Sequence, residues 1–159
     1  MDLILWRHAE AVLERPDRDD LERALTPKGE RQAQRMAEWL NQRLAHSTRI
    51  LVSPALRCQQ TARALGLPFE TDRRLDTDGD VASLLATIGW PDGADHLPAP
   101  DAVLVVGHQP TLGQAAALLL AGAEAPWTIK KGALWWFSNR TRQGETQTVL
   151  RAAIPVEFV

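Results

Sequence analysis

Ala102 to Val106 (AVLVV) is an apolar run with no polar interruption, and a strand of that kind must be covered on both faces. This requirement excludes a helical bundle and a sheet with one wet face. It calls for helices packed on both sides of a mostly parallel sheet. The rest of the chain supplies them. Leu3-Ile4-Leu5-Trp6 and Ile50-Leu51-Val52 are two more short apolar strands. Thr26-Pro27 is a helix start, with the hydroxyl as cap and the proline in the first turn. Ala33, Met36, Ala37, Leu40 and Leu44 then recur at helical steps, marking one face of a helix that runs to about His46. Ser53-Pro54 repeats the start signal and opens a helix that Gly66 stops. Asp80 caps a short helix through Ile88, Pro91 to Pro100 reads as loop, and Pro110 to Ala121 reads as helix. Residues 133–138 (ALWWFS) and 146–153 (TQTVLRAA) form a hairpin around Arg142-Gln143-Gly144. The expected fold is a single domain over 1–159. It is a three-layer α/β/α sandwich with a mostly parallel central sheet, an antiparallel edge strand and a short cap region at about 67–100.

Composition narrows the function. The 159 residues suit one core. The 18 basic and 20 acidic side chains are spread evenly, so neither a nucleic acid nor a membrane is an expected partner. Fifteen arginines against three lysines read as genome composition. One cysteine, Cys58, excludes an internal disulfide and a zinc cage, which points to a reducing compartment or to indifference to one. The opening MDLILWRHAE has too short an apolar run for a signal peptide, and no stretch nears the roughly 20 apolar residues of a membrane helix. The expected location is the cytoplasm. Glu14 to Arg23 (ERPDRDDLER) has no period and reads as a solvated loop.

In an open α/β sheet, ligands bind beyond the carboxyl ends of the strands. Arg7-His8 follows the first strand, Ser53-Pro54-Ala55-Leu56-Arg57 the second, and Gly107-His108-Gln109-Pro110 the AVLVV strand. Three strand ends thus offer two arginines, two histidines and two helix N-termini. Free N–H groups at helix starts favour anions, and a guanidinium matches phosphate oxygens in pairs. Any one of these groups alone has a commonplace structural reading; together they fit a phosphate. Other features carry less. Cys58 and Arg63 are spaced C-x4-R, one residue short of a cysteine-phosphatase loop. Cys58 is read as a small buried residue. His46 ends a helix, His96 lies in a loop, and the four histidines lack metal-ligand spacing. Trp135-Trp136-Phe137 alternates faces and so places at least one tryptophan in the core. Lys130-Lys131 reads as solvated.

These residues resemble the histidine phosphatase (phosphoglycerate mutase-like) superfamily. Leu5-Trp6-Arg7-His8-Ala9-Glu10 is similar to its RHG signature, with Ala9 in place of the glycine. Leu25 to Leu40 resembles its L-T-x-x-G-x-x-Q-A helix, Ile50 to Leu65 its S-P-x-x-R-x-x-Q-T-A segment, and VVGHQPTL its late G-H motif. The short length and the GHQP segment most resemble the SixA-type phosphohistidine phosphatases. The resemblance implies that His8 is the nucleophile, kept neutral by neighbouring Arg7 and Arg57. Arg7 and Arg57 would clamp the phosphoryl oxygens and His108 would donate to them, with Gln109 also binding substrate. It implies no cofactor or metal, the positive charge being supplied by side chains and helix dipoles.

The resemblance implies for the family's mutases and phosphomonoesterases a carboxylate acid between the second and third motif strands, where Asp76, Asp78 and Asp80 are the candidates here. Asp76 is preferred because Asp80 is needed as a cap. The expected substrate is phosphohistidine on a protein, such as a histidine-phosphotransfer domain, cleaved through an enzyme phosphohistidine. A phosphate or sulfate ion is an expected occupant of the site. The alternatives are a small-molecule phosphomonoesterase of the same superfamily and a non-catalytic phosphate-binding domain. An imidazole can leave phosphohistidine neutral without help, whereas an alkoxide needs a proton, and the thin cover suits a protein substrate.

Overall fold

The computed structural model describes residues 1–93 and 98–159, the side chains of residues 141 and 142 excepted. In chain order the elements are β1 (Asp2–Arg7), α1 (Pro27–Asn41), β2 (Thr48–Val52), α2 (Leu56–Arg63), β3 (Glu70–Thr71), α3 (Val81–Ile88), β4 (Ala102–Gly107), α4 (Thr111–Ala121), β5 (Leu134–Arg142) and β6 (Glu145–Ile154). They build one six-stranded sheet in the order β3-β2-β4-β1-β5-β6. The first four strands of that order are parallel, and β5 and β6 close one side antiparallel. The antiparallel edge is therefore two strands wide, the hairpin having joined the sheet through β5 against β1.

Both faces of the inner strands are covered, as an all-apolar strand requires; every residue of β4 is buried. Because side chains alternate along a strand, Leu3, Leu5, Val103 and Val105 pack with Val81, Leu84, Ile88, Leu112 and Ala115 of α3 and α4. Ile4, Trp6, Leu104 and Val106 pack on the other face with Met36, Ala37, Leu40, Cys58 and Ala62 of α1 and α2. This is the expected α/β/α layering. Trp136 is buried against Trp39 on the second face, their rings meeting edge to face at 6.3 Å. Trp135 and Phe137 belong to the first.

Two boundaries differ from expectation. α1 ends at Asn41 instead of near His46, and Leu44 keeps its apolar spacing from a turn, its N–H on the Leu40 carbonyl. α2 begins at Leu56 with Ala55 at its cap, so Ser53 is not the capping residue. The Pro91–Pro100 loop includes residues 94–97, and with them His96, which lie outside the described residues. Among the described residues no helix is long and apolar enough to cross a membrane.

Candidate active site

β2, β4 and β1 are neighbours, so their carboxyl ends place Ser53, His108 and His8 along one rim. Short backbone links hold that rim: the Ser53 N–H donates to the Val106 carbonyl and the His8 N–H to the Gly107 carbonyl. The four expected groups do converge. The His8 and His108 rings are 5.3 Å apart, and Arg57 Nη2 lies 3.3 Å from His108 Nδ1. Arg7 comes from the same strand end and ties its Nη1 to the Ile129 carbonyl at 2.8 Å. The Nε–H groups of Arg7 and Arg57 are buried without a partner among the described residues. Two guanidiniums with unmade bonds around two imidazoles form a receptor for an oxyanion.

The His8 ring is held in one tautomer. Its Nδ1 is 2.8 Å from the Ala9 carbonyl, which can only accept, so the proton sits on Nδ1 and the Nε2 lone pair is free. Burial pushes its pKa down to about 3, and His108, Arg57 and Arg7 push the same way against the opposing Ala9 bond. Desolvation leads here, with the arginines that the sequence suggested adding to it. His108 is also held down to about 3, chiefly by burial and by Arg57, with Asp20 opposing. Both rings are neutral at pH 7. Alanine fits at position 9 because its backbone is not in the left-handed region. Its N–H donates to Thr61 Oγ1 at 3.1 Å, and its methyl group packs with Ala11, Leu25 and Ala33.

The Thr26 start of α1 supports the loop after His8. A Cβ on Gly29 would stand 1.9 Å from the Glu10 carbonyl, so only glycine allows this approach. Thr26 N–H donates to the same carbonyl at 3.0 Å.

Three residues behave differently from the reading of the sequence, and a fourth makes a contact the sequence did not show. Asp20 belongs to the stretch expected to be a solvated loop, yet it reaches Arg57: Nη2 meets Asp20 Oδ2 at 2.9 Å and Nη1 meets its carbonyl at 2.7 Å. Arg23 Nε stands 2.8 Å from the other carboxylate oxygen, and these arginines keep Asp20 ionised although burial opposes them. Gln109 is corrected from a substrate-binding residue to a brace. Its amide nitrogen donates to the Trp127 carbonyl and its oxygen accepts from Gly113 N–H, which occupies both ends of the side chain. Asp76 turns its carboxylate onto the Thr77 N–H of its own turn at 2.7 Å. That turn is tied to the start of α4, where Thr111 donates to the Gly79 carbonyl. Cys58 is buried as expected, but its sulfur also lies 3.5 Å from His108 Nε2. Burial pushes the thiol up to about 12, so it stays protonated.

Asp20 has a measurable consequence. Among the described residues, the charges of Arg7, Arg23, Arg57 and Asp20 act on His108, and removing the carboxylate strengthens the positive field on an anion there. Asp20→Asn is expected to tighten inhibition by inorganic phosphate by about 10-fold, a conservative figure for one charge a few ångströms away. An unchanged or weaker phosphate inhibition constant would contradict this electrostatic account.

A family model described as histidine phosphatase superfamily (branch 1) matches residues 3–78. The phosphohistidine phosphatase SixA of Escherichia coli (strain K12) is 32% identical over 132 residues, 79% of this chain and 78% of that protein. An uncharacterised protein of Picosynechococcus sp. is 37% identical over 128 residues, 77% of this chain and 74% of that protein. Among solved structures, the protein histidine phosphatase SixA complexed with tungstate superposes with a TM-score of 0.80 at 28% identity, covering 99% of both chains.

Proposed function

Since the chain belongs to the histidine phosphatase superfamily and is a phosphatase of that kind, we propose that it removes phosphate from phosphohistidine carried on a protein. The observation that carries this reading is the absence of a poised acid. Among the described residues, the carboxylate that reaches the Arg57–His108 pair is Asp20, and its arginine partners hold it ionised. A site whose expected acid, Asp76, is engaged by its own turn and whose nearer carboxylate is held ionised suits a leaving group that needs little help from an acid. The SixA relative is named for that activity, and the tungstate in the SixA structure is an oxyanion of phosphate's shape and charge.

The proposed chemistry has two steps. The His8 Nε2 lone pair forms a bond to phosphorus while the substrate's N–P bond breaks, its electron pair returning to the departing imidazole. That imidazole, already protonated on its other nitrogen, leaves neutral. The positive charge now on the His8 ring is met by the Nδ1–H bond to the Ala9 carbonyl. Arg7 and Arg57 hold the equatorial oxygens as the phosphoryl group passes in line. Water then attacks phosphorus, the His8–phosphorus bond returns its pair to Nε2, and a water proton passes to the phosphate released.

The test offers the purified protein a phosphorylated histidine-phosphotransfer domain and a panel of metabolite phosphates side by side. Faster turnover of the phosphoprotein is expected; a metabolite phosphomonoester turned over far faster would replace this reading. Asp76→Asn divides the two chemistries. It is expected to change phosphohistidine hydrolysis by less than about threefold and alkyl phosphate hydrolysis by about 10-fold or more, since only the alkoxide needs an acid. Equal losses on both substrates would contradict the leaving-group argument.

A further inference from the structure

Ser53 is fully buried, and the steps above give it no task. Its hydroxyl oxygen lies 2.8 Å from His108 Nε2 and 3.3 Å from the Ala55 nitrogen, whose N–H it accepts. On the far side of the same ring, Nδ1 faces Arg57 Nη2. A guanidinium can only donate, so Nδ1 holds a lone pair, and in the neutral ring the proton is on Nε2, aimed at Ser53. The serine thus accepts from two N–H groups and has its own hydrogen left over.

This arrangement does not suit an incoming phosphoryl group. A phosphoryl oxygen drawn to Arg57 displaces His108 Nδ1 as the acceptor and then confronts its lone pair. Two acceptors facing one another out of water repel, and each lacks a donor. We propose, on the reading of this cleft as a phosphoryl site, that Ser53 is a positioning residue that lets His108 exchange tautomers when the phosphoryl group arrives. Its hydroxyl turns from accepting Nε2–H to donating to Nε2, so that Nδ1–H meets the phosphoryl oxygen. The proton count is unchanged: Nε2 gives one proton to solvent, Nδ1 takes one from solvent, and the serine keeps its own hydrogen, which rotates onto Nε2. A hydroxyl serves both states because it donates and accepts at one atom. Conversion of His108 to the doubly protonated ring is the competing route. Burial and the charges of Arg57, Arg7 and Arg23 oppose it, with Asp20 pulling the other way.

Nitrogen NMR of the histidine-labelled protein distinguishes the two tautomers, with inorganic phosphate as the probe and the phosphorus signal as an independent report of binding. Without phosphate, Nε2 is expected to be the protonated nitrogen of His108; with phosphate bound, Nδ1. In Ser53→Ala the ligand-free ring loses the acceptor that holds Nε2–H, and its shifts are expected to average towards a mixture. Ligand-free shifts in that variant identical to those of the wild type would overturn the role of Ser53. The wild-type comparison is decisive even if the variant does not fold. His108 retaining Nε2–H, or gaining a second proton, with phosphate bound would overturn this inference and leave the phosphoryl site standing. Absence of phosphate binding at any concentration would remove both.

Discussion

Replacing His8 with alanine is expected to lower phosphohistidine turnover by about 10⁴-fold or more without unfolding the protein, because among the described residues the cleft offers no second side chain for the covalent role. The neighbouring ring is no substitute. Both nitrogens of His108 are engaged, one by Arg57 and one by Ser53, whereas His8 Nε2 has no partner among the described residues. Steady-state rates, circular dichroism and a search for a phosphorylated intermediate check the three parts of the expectation; near-normal turnover in the variant would remove the mechanism. The same residue predicts a pH signature. With His8 held down to about 3, its lone pair is present throughout the neutral range, so the rate should show no step from this group near 6.5.

Stability carries the complementary sign. The folded pKa values of His8 and His108 are both depressed from 6.5 to about 3, so the unfolded chain binds more protons in between. Stability therefore has no contribution from these rings above 6.5 and falls as pH drops below it towards 3. Denaturation midpoints at pH 7.5 and 5 should differ accordingly, and His8→Ala should show a shallower decline.

Arg57→Ala is expected to cost about 10³-fold in kcat/KM, and Arg57→Lys at least about 10²-fold. One guanidinium makes three contacts: with the Asp20 carboxylate, the Asp20 carbonyl and His108 Nδ1. A lysine ammonium can replace the charge but cannot reach this fork of partners from one side. Losing the arginine also leaves Asp20 as an uncompensated negative charge beside the cleft, which repels the anionic substrate. The stability cost should be smaller, about 1 to 2 kcal/mol, because the Asp20 side chain still reaches water. Kinetics compared with a denaturation curve separate the two effects. Wild-type kcat/KM in the Arg57→Lys variant would show that only charge matters at this position.

Much of this site is legible in the sequence because it follows from repeating geometry. The AVLVV run demands two covered faces, and the carboxyl ends of its neighbours then nominate Arg7, His8, Arg57 and His108. The residues that escape are those whose partners are remote and unpatterned. Asp20 stands 37 positions from Arg57 in a stretch without periodicity, so nothing local distinguishes it from its solvated neighbours. Ser53 carries a convincing helix-start signal with Pro54, but its hydroxyl turns to a ring 55 positions away. Gln109 has the opposite history. Its place beside His108 suggests a ligand, while its two amide ends brace Trp127 and Gly113. Proximity in sequence to a reactive group says little about where a flexible amide will point.

β1 and β4 carry His8 and His108 at their ends, lie side by side with Arg7 opposite Gly107, and have their interior residues sealed on both sides. The reactive rim consequently has no cushion between itself and the close-packed interior. A methylene added or removed at Leu5 or Val105 moves the imidazoles relative to each other, and line-of-attack chemistry is sensitive to tenths of an ångström. In such a protein, drift within the hydrophobic layers surfaces as slowed catalysis well before it surfaces as aggregation or loss of yield.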